Sequence, residues 1–524
     1  MTESTASHSG GFRPHCCPRP HQGGQAAAGL SRREFIGTGS LAVGAVALHG
    51  LSWSALASSA EELPAPPARR PLRVKPILAY GIPQRQPQTS WRSWGGLQTE
   101  KDVAGEVARI GAELDALSRA ADFPVGILPV GKVQSAEEVA QLADLSAADA
   151  LLVYAAGGWM DIFDALGRTG KPMIFFVRHR SGPVYLWYEI ITPRYLRQHT
   201  DELQLEHVHF QDVVVDSQEE LCWRLRALCG LQNTVGSRIV AVGGPSAWSQ
   251  PPGVVPNLVQ QRWGLDIRTV SYDELGRLIE TARGDEAAVE RARRRATEYL
   301  RLPGTALETE RAFVDNAFLL EEILRRLMQQ ADCGALTIND CMSTIMPKAQ
   351  TTACLTLSLL NDAGYLAFCE SDFVVIPSGL LLAGVAGKPV FLQDPTYPHD
   401  GLITLAHCTA PRRMDGKTPE PARILTHFES DYGAAPKVEM RNGQAVTMIV
   451  PDFKAERWVG LKGTIEDNPF LDICRSQIDV RYTCADALLA ERMPGFHWML
   501  AYGDYRRELG YALRRVGIAW EQLA

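Results

Sequence analysis

Two hydrophobic periods divide the chain. Short apolar runs at 77–80, 125–130, 151–155 and 173–177 are separated by stretches of helical spacing, so each reads as a buried strand that leads into a helix. The first helix is explicit, because Val103, Val107, Ile110, Leu114 and Leu117 recur at intervals of four and three residues and therefore share one face. Strands alternating with helices predict parallel βαβ units. A second unit opens near His207, with strands at 213–215, 238–242 and 267–270 and helices at 218–228 and 275–282. Two long charged segments, 285–300 and 307–330, read as helices crossing between domains.

The stretch 364–407 has a different character. Residues 365–369 read as a strand ending at Glu370, 371–386 as a Leu-rich helix, and 388–392 as a strand ending at Asp394, bounded by Gly387-Lys388-Pro389 and Asp394-Pro395. This reading sets the two acids at equivalent strand ends, where open α/β sheets bind ligands. Beyond Asp394 the period shortens to that of β-structure: 401–407, 424–428 and 446–450 read as strands, Asn442-Gly443 as a hairpin turn between Val438 and Val446, and Ile478, Val480 and Tyr482 alternate with polar residues. A last amphipathic helix, capped at Asp504, carries Leu509, Leu513 and Val516 and stops at Gly517. The expected architecture is α/β, with two parallel-sheet domains of the flavodoxin or Rossmann kind at 73–200 and 201–365. A β-rich, barrel-like domain follows at 366–524.

The amino-terminal region changes the picture of the compartment. Ser31-Arg32-Arg33-Glu34-Phe35 precedes a Gly- and Ala-rich run, and Ala55-Leu56-Ala57 offers small residues for cleavage. This resembles a twin-arginine export signal over 1–57, followed by a Pro- and Ala-rich linker at 58–72, so these residues are expected to stand outside the fold. The expected location is periplasmic or secreted, with the twin-arginine export machinery as a partner. Cys16 and Cys17 leave with the signal, and the remaining nine of eleven cysteines cannot all pair; a chain of 524 residues is no disulfide scaffold, and the thiols read as small apolar residues. A net charge of −7 supplies no basic excess for phosphates, which argues against a nucleic-acid partner and for a small molecule.

Glu370, Asp394, His407 and His497 together offer two carboxylates and two imidazoles, a donor set suited to a divalent metal such as Mn²⁺. Each also has a plain structural reading, as a helix N-terminal acid, an Asx turn or a hydrogen-bonded core histidine. Gly157-Gly158-Trp159 and Gly243-Gly244-Pro245 read as turns rather than dinucleotide loops. Trp159, Trp248 and Trp498 are candidate substrate-binding rings, since an aromatic face suits the C–H groups of a sugar.

The run Leu359-Leu360-Asn361-Asp362-Ala363-Gly364-Tyr365-Leu366-Ala367-Phe368-Cys369-Glu370-Ser371-Asp372 resembles the segment that delivers the first metal carboxylate in the L-fucose and L-arabinose isomerase superfamily. The segment ending Phe391-Leu392-Gln393-Asp394 resembles the one that delivers the second, and Leu405-Ala406-His407-Cys408 and Gly495-Phe496-His497 resemble the two histidine segments. Cys408-Thr409 departs from the family pattern, where a glycine is expected, and Trp498 stands where a second histidine is expected. The resemblance covers 351–524 in motif detail. It implies a metal-dependent aldose–ketose isomerase working through a cis-enediol, with Glu370, Asp394, His407 and His497 as metal ligands. Glu370 and Asp394 would be the proton-moving pair, and the chain would assemble as trimers or hexamers. Alternatives are epimerisation or carbon–carbon cleavage on a related sugar, or sugar binding without chemistry.

Overall fold

The computed structural model describes residues 45–48, 50–56, 62–198, 208–248 and 250–523. Arg32 and Arg33 lie outside them, as do Cys16 and Cys17. Two parallel sheets and one closed antiparallel barrel make up the architecture.

The first sheet runs in the order Val125–Ile127, Leu72–Ala79, Ala150–Ala155, Met173–Val177, Val213–Val215, with Gly131–Val133 also pairing to Leu72–Ala79. Every residue of Ala150–Ala155 and Met173–Val177 is buried, which explains why their sequences are apolar runs rather than alternations. The helix Glu100–Ala120 starts at Thr99 through a capping box: Asp102 N–H donates to Thr99 Oγ1 at 3.2 Å while Thr99 N–H donates to Asp102 Oδ2 at 2.9 Å. Its inward face carries Val103, Ile110, Leu114 and Leu117 as expected, and also the buried acid Glu106. Glu106 Oε1 accepts from Arg178 Nε at 2.6 Å and from the Tyr185 hydroxyl at 2.5 Å, and Arg178 reaches Glu113 Oε2 at 2.8 Å.

Val213–Val215 closes the edge of this first sheet, pairing with Met173–Val177, and does not open the second unit as the sequence suggested. Its pattern is that of any short buried strand, so only hydrogen-bond partnership assigns it. The helix Gln218–Gln232 then carries the chain across to the second sheet. That sheet has the parallel order Asp266–Val270, Arg238–Val242, Ala335–Ile338, Leu366–Cys369. The boundary expected at 365/366 therefore falls before a strand that belongs to the α/β unit, in register Ala335 with Leu366 through Ile338 with Cys369. The long helices Glu286–Leu300 and Arg311–Gln330 pack on each other and precede Ala335–Ile338.

The expectation that the first sixty residues stand outside the fold needs correction for its described part. Val46–Ala47 pairs in parallel with Arg268 and Thr269 at the edge of the second sheet, and Trp53 and Leu56 are buried. Trp53 Nε1 donates to Asp285 Oδ2 at 2.9 Å and Leu51 N–H to Glu274 Oε1 at 2.6 Å. An apolar segment beside an open sheet edge gains both ladder bonds and burial there.

The barrel closes in the order Ala445–Pro451, Trp498–Tyr502, Phe391–Pro395, Leu402–His407, Ser476–Arg481, Arg457–Asp467 and back to Ala445–Pro451. Ala519–Leu523 adds outside, parallel to Arg457–Asp467. Asp394 thus sits in an antiparallel barrel strand, while Glu370 ends a parallel strand of the α/β sheet, so the two strand ends are not equivalent. Gly443 does turn, at φ 79°, but Tyr432–Val438 before it pairs with Ala422–His427 in a separate three-stranded sheet, and the expected hairpin with 446–450 does not form. Turn chemistry fixes a bend and not the partners of its arms. The last helix is Arg506–Arg515, with Leu509 and Leu513 buried; its cap position is Tyr505 rather than Asp504.

The helix Ile376–Ala386, buried along its whole length, binds the two halves together by packing on both Gln218–Gln232 and Trp498–Tyr502. Its crossing with Gln218–Gln232 needs two glycines: a Cβ on Gly230 would come within 2.4 Å of Val385 Cγ2, and one on Gly384 within 3.0 Å of the Gly230 carbonyl.

Candidate metal centre

The Leu366–Cys369 strand ends at the carboxyl edge of its sheet, and there the backbone turns through two consecutive left-handed residues, Glu370 at φ 64° and Ser371 at φ 45°. Non-glycine residues rarely hold that conformation, and where they do the surrounding structure must enforce it. Here the enforcement comes from the loop after Arg238–Val242: Ser246 N–H donates to the Ser371 carbonyl at 3.1 Å, and Phe373 N–H to the Ser246 carbonyl at 3.1 Å. The turn delivers Glu370 toward the barrel. From the barrel side, the register pairs Gln393 with Trp498, and one step further along the same antiparallel ladder sets Asp394 across from His497.

The result is a close group of side chains. His497 Nε2 lies 3.0 Å from Asp394 Oδ1 and 3.3 Å from Glu370 Oε2. All three of these atoms are buried and have no hydrogen-bond partner. Buried polar atoms without partners are costly, and two carboxylate oxygens beside one imidazole nitrogen fit a shared cation. The separations are those of neighbouring ligands about 2.0–2.2 Å from a divalent ion. His407 approaches from another side: one of its ring nitrogens, a Glu370 oxygen and Cys369 Sγ lie within 4.8 Å of one another. The structure therefore gathers Glu370, Asp394, His407 and His497 in one place. The tightest contacts are among Glu370, Asp394 and His497.

Around them stand groups that sequence reasoning did not assign. Asp372 Oδ2 holds His497 Nδ1 at 2.6 Å, which leaves Nε2 to point at the two carboxylates. A carboxylate behind the second nitrogen of a metal-binding imidazole fixes its tautomer and raises its basicity. Asp372 is itself fixed, its Oδ1 accepting from Val374 N–H at 3.0 Å and Trp248 N–H at 3.2 Å. Thr409 Oγ1 lies 3.0 Å from His407 Nδ1 and orients that ring in the same way, which gives the departure at 409 a job. A signal for Asp372 was present in the spacing Glu370-Ser371-Asp372, but only the turn shows that the second acid reaches the imidazole and not solvent.

Electrostatics agree with the geometry. Burial pushes Asp394 upward, yet the close approach and charge of His497, with the charge of His407, hold its carboxyl below the usual range. Burial pushes His497 down, but the Asp372 hydrogen bond and the nearby Asp394 and Glu370 carboxylates hold it well above the ordinary histidine value. The acids thus favour a positive charge at this point, which a divalent cation would supply while leaving the imidazole neutral.

Of the candidate rings, Trp248 stands at the site. It stacks on Phe496 with centroids 4.1 Å apart and meets the His497 ring edge-on at 5.5 Å. Trp248, Asp372, Phe453, Met493 and Phe496 line a small cavity beside the carboxylates. Trp498, in contrast, is 0 % exposed, so its ring offers no face to a substrate; its strand position turns it into the core while His497, one residue earlier, faces the acids. Trp159 caps the helix Met160–Gly167 of the first domain and is 79 % exposed. A larger cavity, lined by Arg69, Arg70, Arg238, Asp332 and Lys388, lies at the amino ends of the second sheet's strands, opposite Glu370. Comparison of the chain with protein-family models and with curated proteins finds no match.

Proposed function

We propose that the chain is a metal-dependent aldose–ketose isomerase of the L-fucose and L-arabinose isomerase type. The observation that carries this reading is the approach of Asp394 Oδ1 and Glu370 Oε2 to His497 Nε2, at 3.0 and 3.3 Å, all three atoms being buried. Two oxygens and one imidazole nitrogen, with His407 beside them, form a hard-to-borderline donor set that suits Mn²⁺. When bound, the ion acts as a Lewis acid that polarises neighbouring sugar oxygens and holds them in place.

The chain's own residues supply the rest. Glu370 is the favoured base: its strained turn aims one carboxylate at the site from the α/β side, within reach of a proton on C2 of an open-chain aldose. Asp394 faces it from the barrel and completes the pair that moves the proton between C2 and C1 through a cis-enediol. Asp372 keeps His497 in one tautomer, and the Trp248–Phe496 stack offers an apolar wall for the sugar's C–H groups.

To test it, the purified protein is incubated with Mn²⁺ and a panel of aldoses and the products are separated. Formation of a ketose by the wild type, with turnover lost in Glu370→Gln while bound Mn²⁺ is largely kept, supports the reading. A panel with no ketose formed, or turnover undiminished in Glu370→Gln, rejects it.

A further inference from the structure

A second cluster of potential ligands lies apart from the carboxylates and is made of soft donors. Cys354 opens the helix Ala353–Asp362, Cys408 follows the barrel strand Leu402–His407, and His427 ends the strand Ala422–His427. Their ligand atoms lie within 4.8 Å of one another, and the three residues are 3, 2 and 5 % exposed. Cys474, just ahead of the strand Ser476–Arg481, packs against the two cysteines and hydrogen-bonds Cys408. Two thiols and one imidazole thus meet from a helix of the α/β unit, the end of a barrel strand and the three-stranded sheet, and Cys474 stands beside Cys408 at the rim of that group.

We propose that Cys354, Cys408, Cys474 and His427 form a structural Zn²⁺ site. Three sulfurs and one imidazole nitrogen are a complete tetrahedral donor set, with expected distances of about 2.3 Å to sulfur and about 2.0–2.1 Å to nitrogen. Ser430 Oγ engages His427 Nδ1 at 3.4 Å, which leaves Nε2 as the ligand atom. Binding displaces a proton from each thiol, so three thiolates, a neutral imidazole and Zn²⁺ carry one net negative charge. Arg475, next to Cys474 in the chain and close enough to act on His427, balances it. A disulfide would use two of the four groups and strand a buried thiol and imidazole.

The site has a consequence for the first one. Cys408 directly follows His407, so a metal that pins Cys408 also pins the strand end that presents His407 to Glu370. The proposal does not rest on the isomerase reading, because it concerns different ligands and a different readout.

The probe is Co²⁺, loaded into the full-length chain after chelation. An intense thiolate-to-cobalt charge-transfer band in the near ultraviolet that saturates at one equivalent per chain, with strong visible bands of tetrahedral geometry, is the expected result, whatever further Co²⁺ the carboxylate site takes up. The band is expected to persist in Glu370→Gln, whose ligands are oxygen and nitrogen, and to be lost or at least halved in Cys354→Ser and Cys474→Ser. Cys474 is half-buried, so its variant keeps the test available where Cys354→Ser does not fold. A folded wild type without the thiolate band overturns the proposal, as does a band unchanged in Cys474→Ser. Peptide mapping that finds a disulfide among the three cysteines overturns it as well. Loss of sugar turnover with the band intact counts against the isomerase reading alone.

Discussion

Asp372 decides how His497 presents itself. With its carboxylate 2.6 Å from Nδ1, the ring has one tautomer and one orientation, and Nε2 meets Asp394 and Glu370. Asp372 is a positioning residue, so Asp372→Ala is expected to weaken Mn²⁺ binding by about 10–100-fold while the fold persists, read by calorimetric titration of metal. Asp372→Asn should recover part of that loss, since its amide oxygen still accepts from Nδ1–H; an affinity equal to wild type in the alanine variant would remove Asp372 from the site. A second residue speaks to pH. Glu420, buried just ahead of the strand Ala422–His427, is pushed up by burial, only partly offset by the Tyr502 hydroxyl at 2.8 Å and the Arg441 N–H at 3.0 Å. The folded chain holds this proton more tightly than the unfolded chain does. The stabilisation is therefore complete below the ordinary glutamate range and is lost as pH rises through the higher folded value. Glu420→Gln keeps an acceptor without the charge, and its thermal midpoint is expected to fall less than that of the wild type between mildly acidic and neutral pH.

At the scale of elements, the helix Glu100–Ala120 is tied to the Met173–Val177 strand end by more than apolar packing. Arg178 is 0 % exposed and shared between Glu106 and Glu113, with the Tyr185 hydroxyl on the same Glu106 oxygen. Removing one partner of a buried ion pair leaves the other charge stranded, so Arg178→Met is expected to destabilise the first α/β unit by about 3–5 kcal/mol in denaturant titration. A change within about 1 kcal/mol would mean that water reaches Glu106. The segment 45–56 carries a similar expectation. A chain that starts at Ser58 loses the strand beside Arg268 and Thr269 and uncovers the ground beneath Trp53 and Leu56, so its thermal midpoint should lie below that of the full chain.

Across the whole molecule, the metal centre belongs to no single unit. Glu370 and Asp372 come from the carboxyl end of the second parallel sheet, and Asp394, His407 and His497 come from the barrel. The helix Ile376–Ala386 holds the two together. The first α/β unit contributes none of these groups, yet it exposes Trp94, Trp159 and Val184 at the carboxyl end of its own sheet. Exposed apolar side chains of this kind are available for a contact between subunits. The isomerase resemblance implies a trimer or hexamer in which a neighbouring subunit's first domain would cover each active site. Trp159→Ser is then expected to shift sedimentation from a trimer or hexamer toward monomer and to raise KM without lowering bound Mn²⁺. A wild type that sediments as a monomer would refute this arrangement.

Periodicity by itself determined the helix–strand alternation, the change to β-structure after Asp394 and the apolar face of Glu100–Ala120, because burial on one face writes itself into spacing. The motif segments likewise single out Glu370, Asp394, His407 and His497 as the candidate ligands. What spacing does not encode is partnership. Val213–Val215 reads the same on either sheet, Leu366–Cys369 reads the same in a barrel, and Asn442-Gly443 makes its turn whether or not its flanking strands pair. Trp498 and His497 are adjacent in sequence, and only the pleat decides that one enters the core while the other faces the acids. The Asp372 support and the cluster of Cys354, Cys408, His427 and Cys474 join residues up to 125 positions apart in the chain. No local pattern reports contacts at that distance; they exist because the barrel closes against the second sheet.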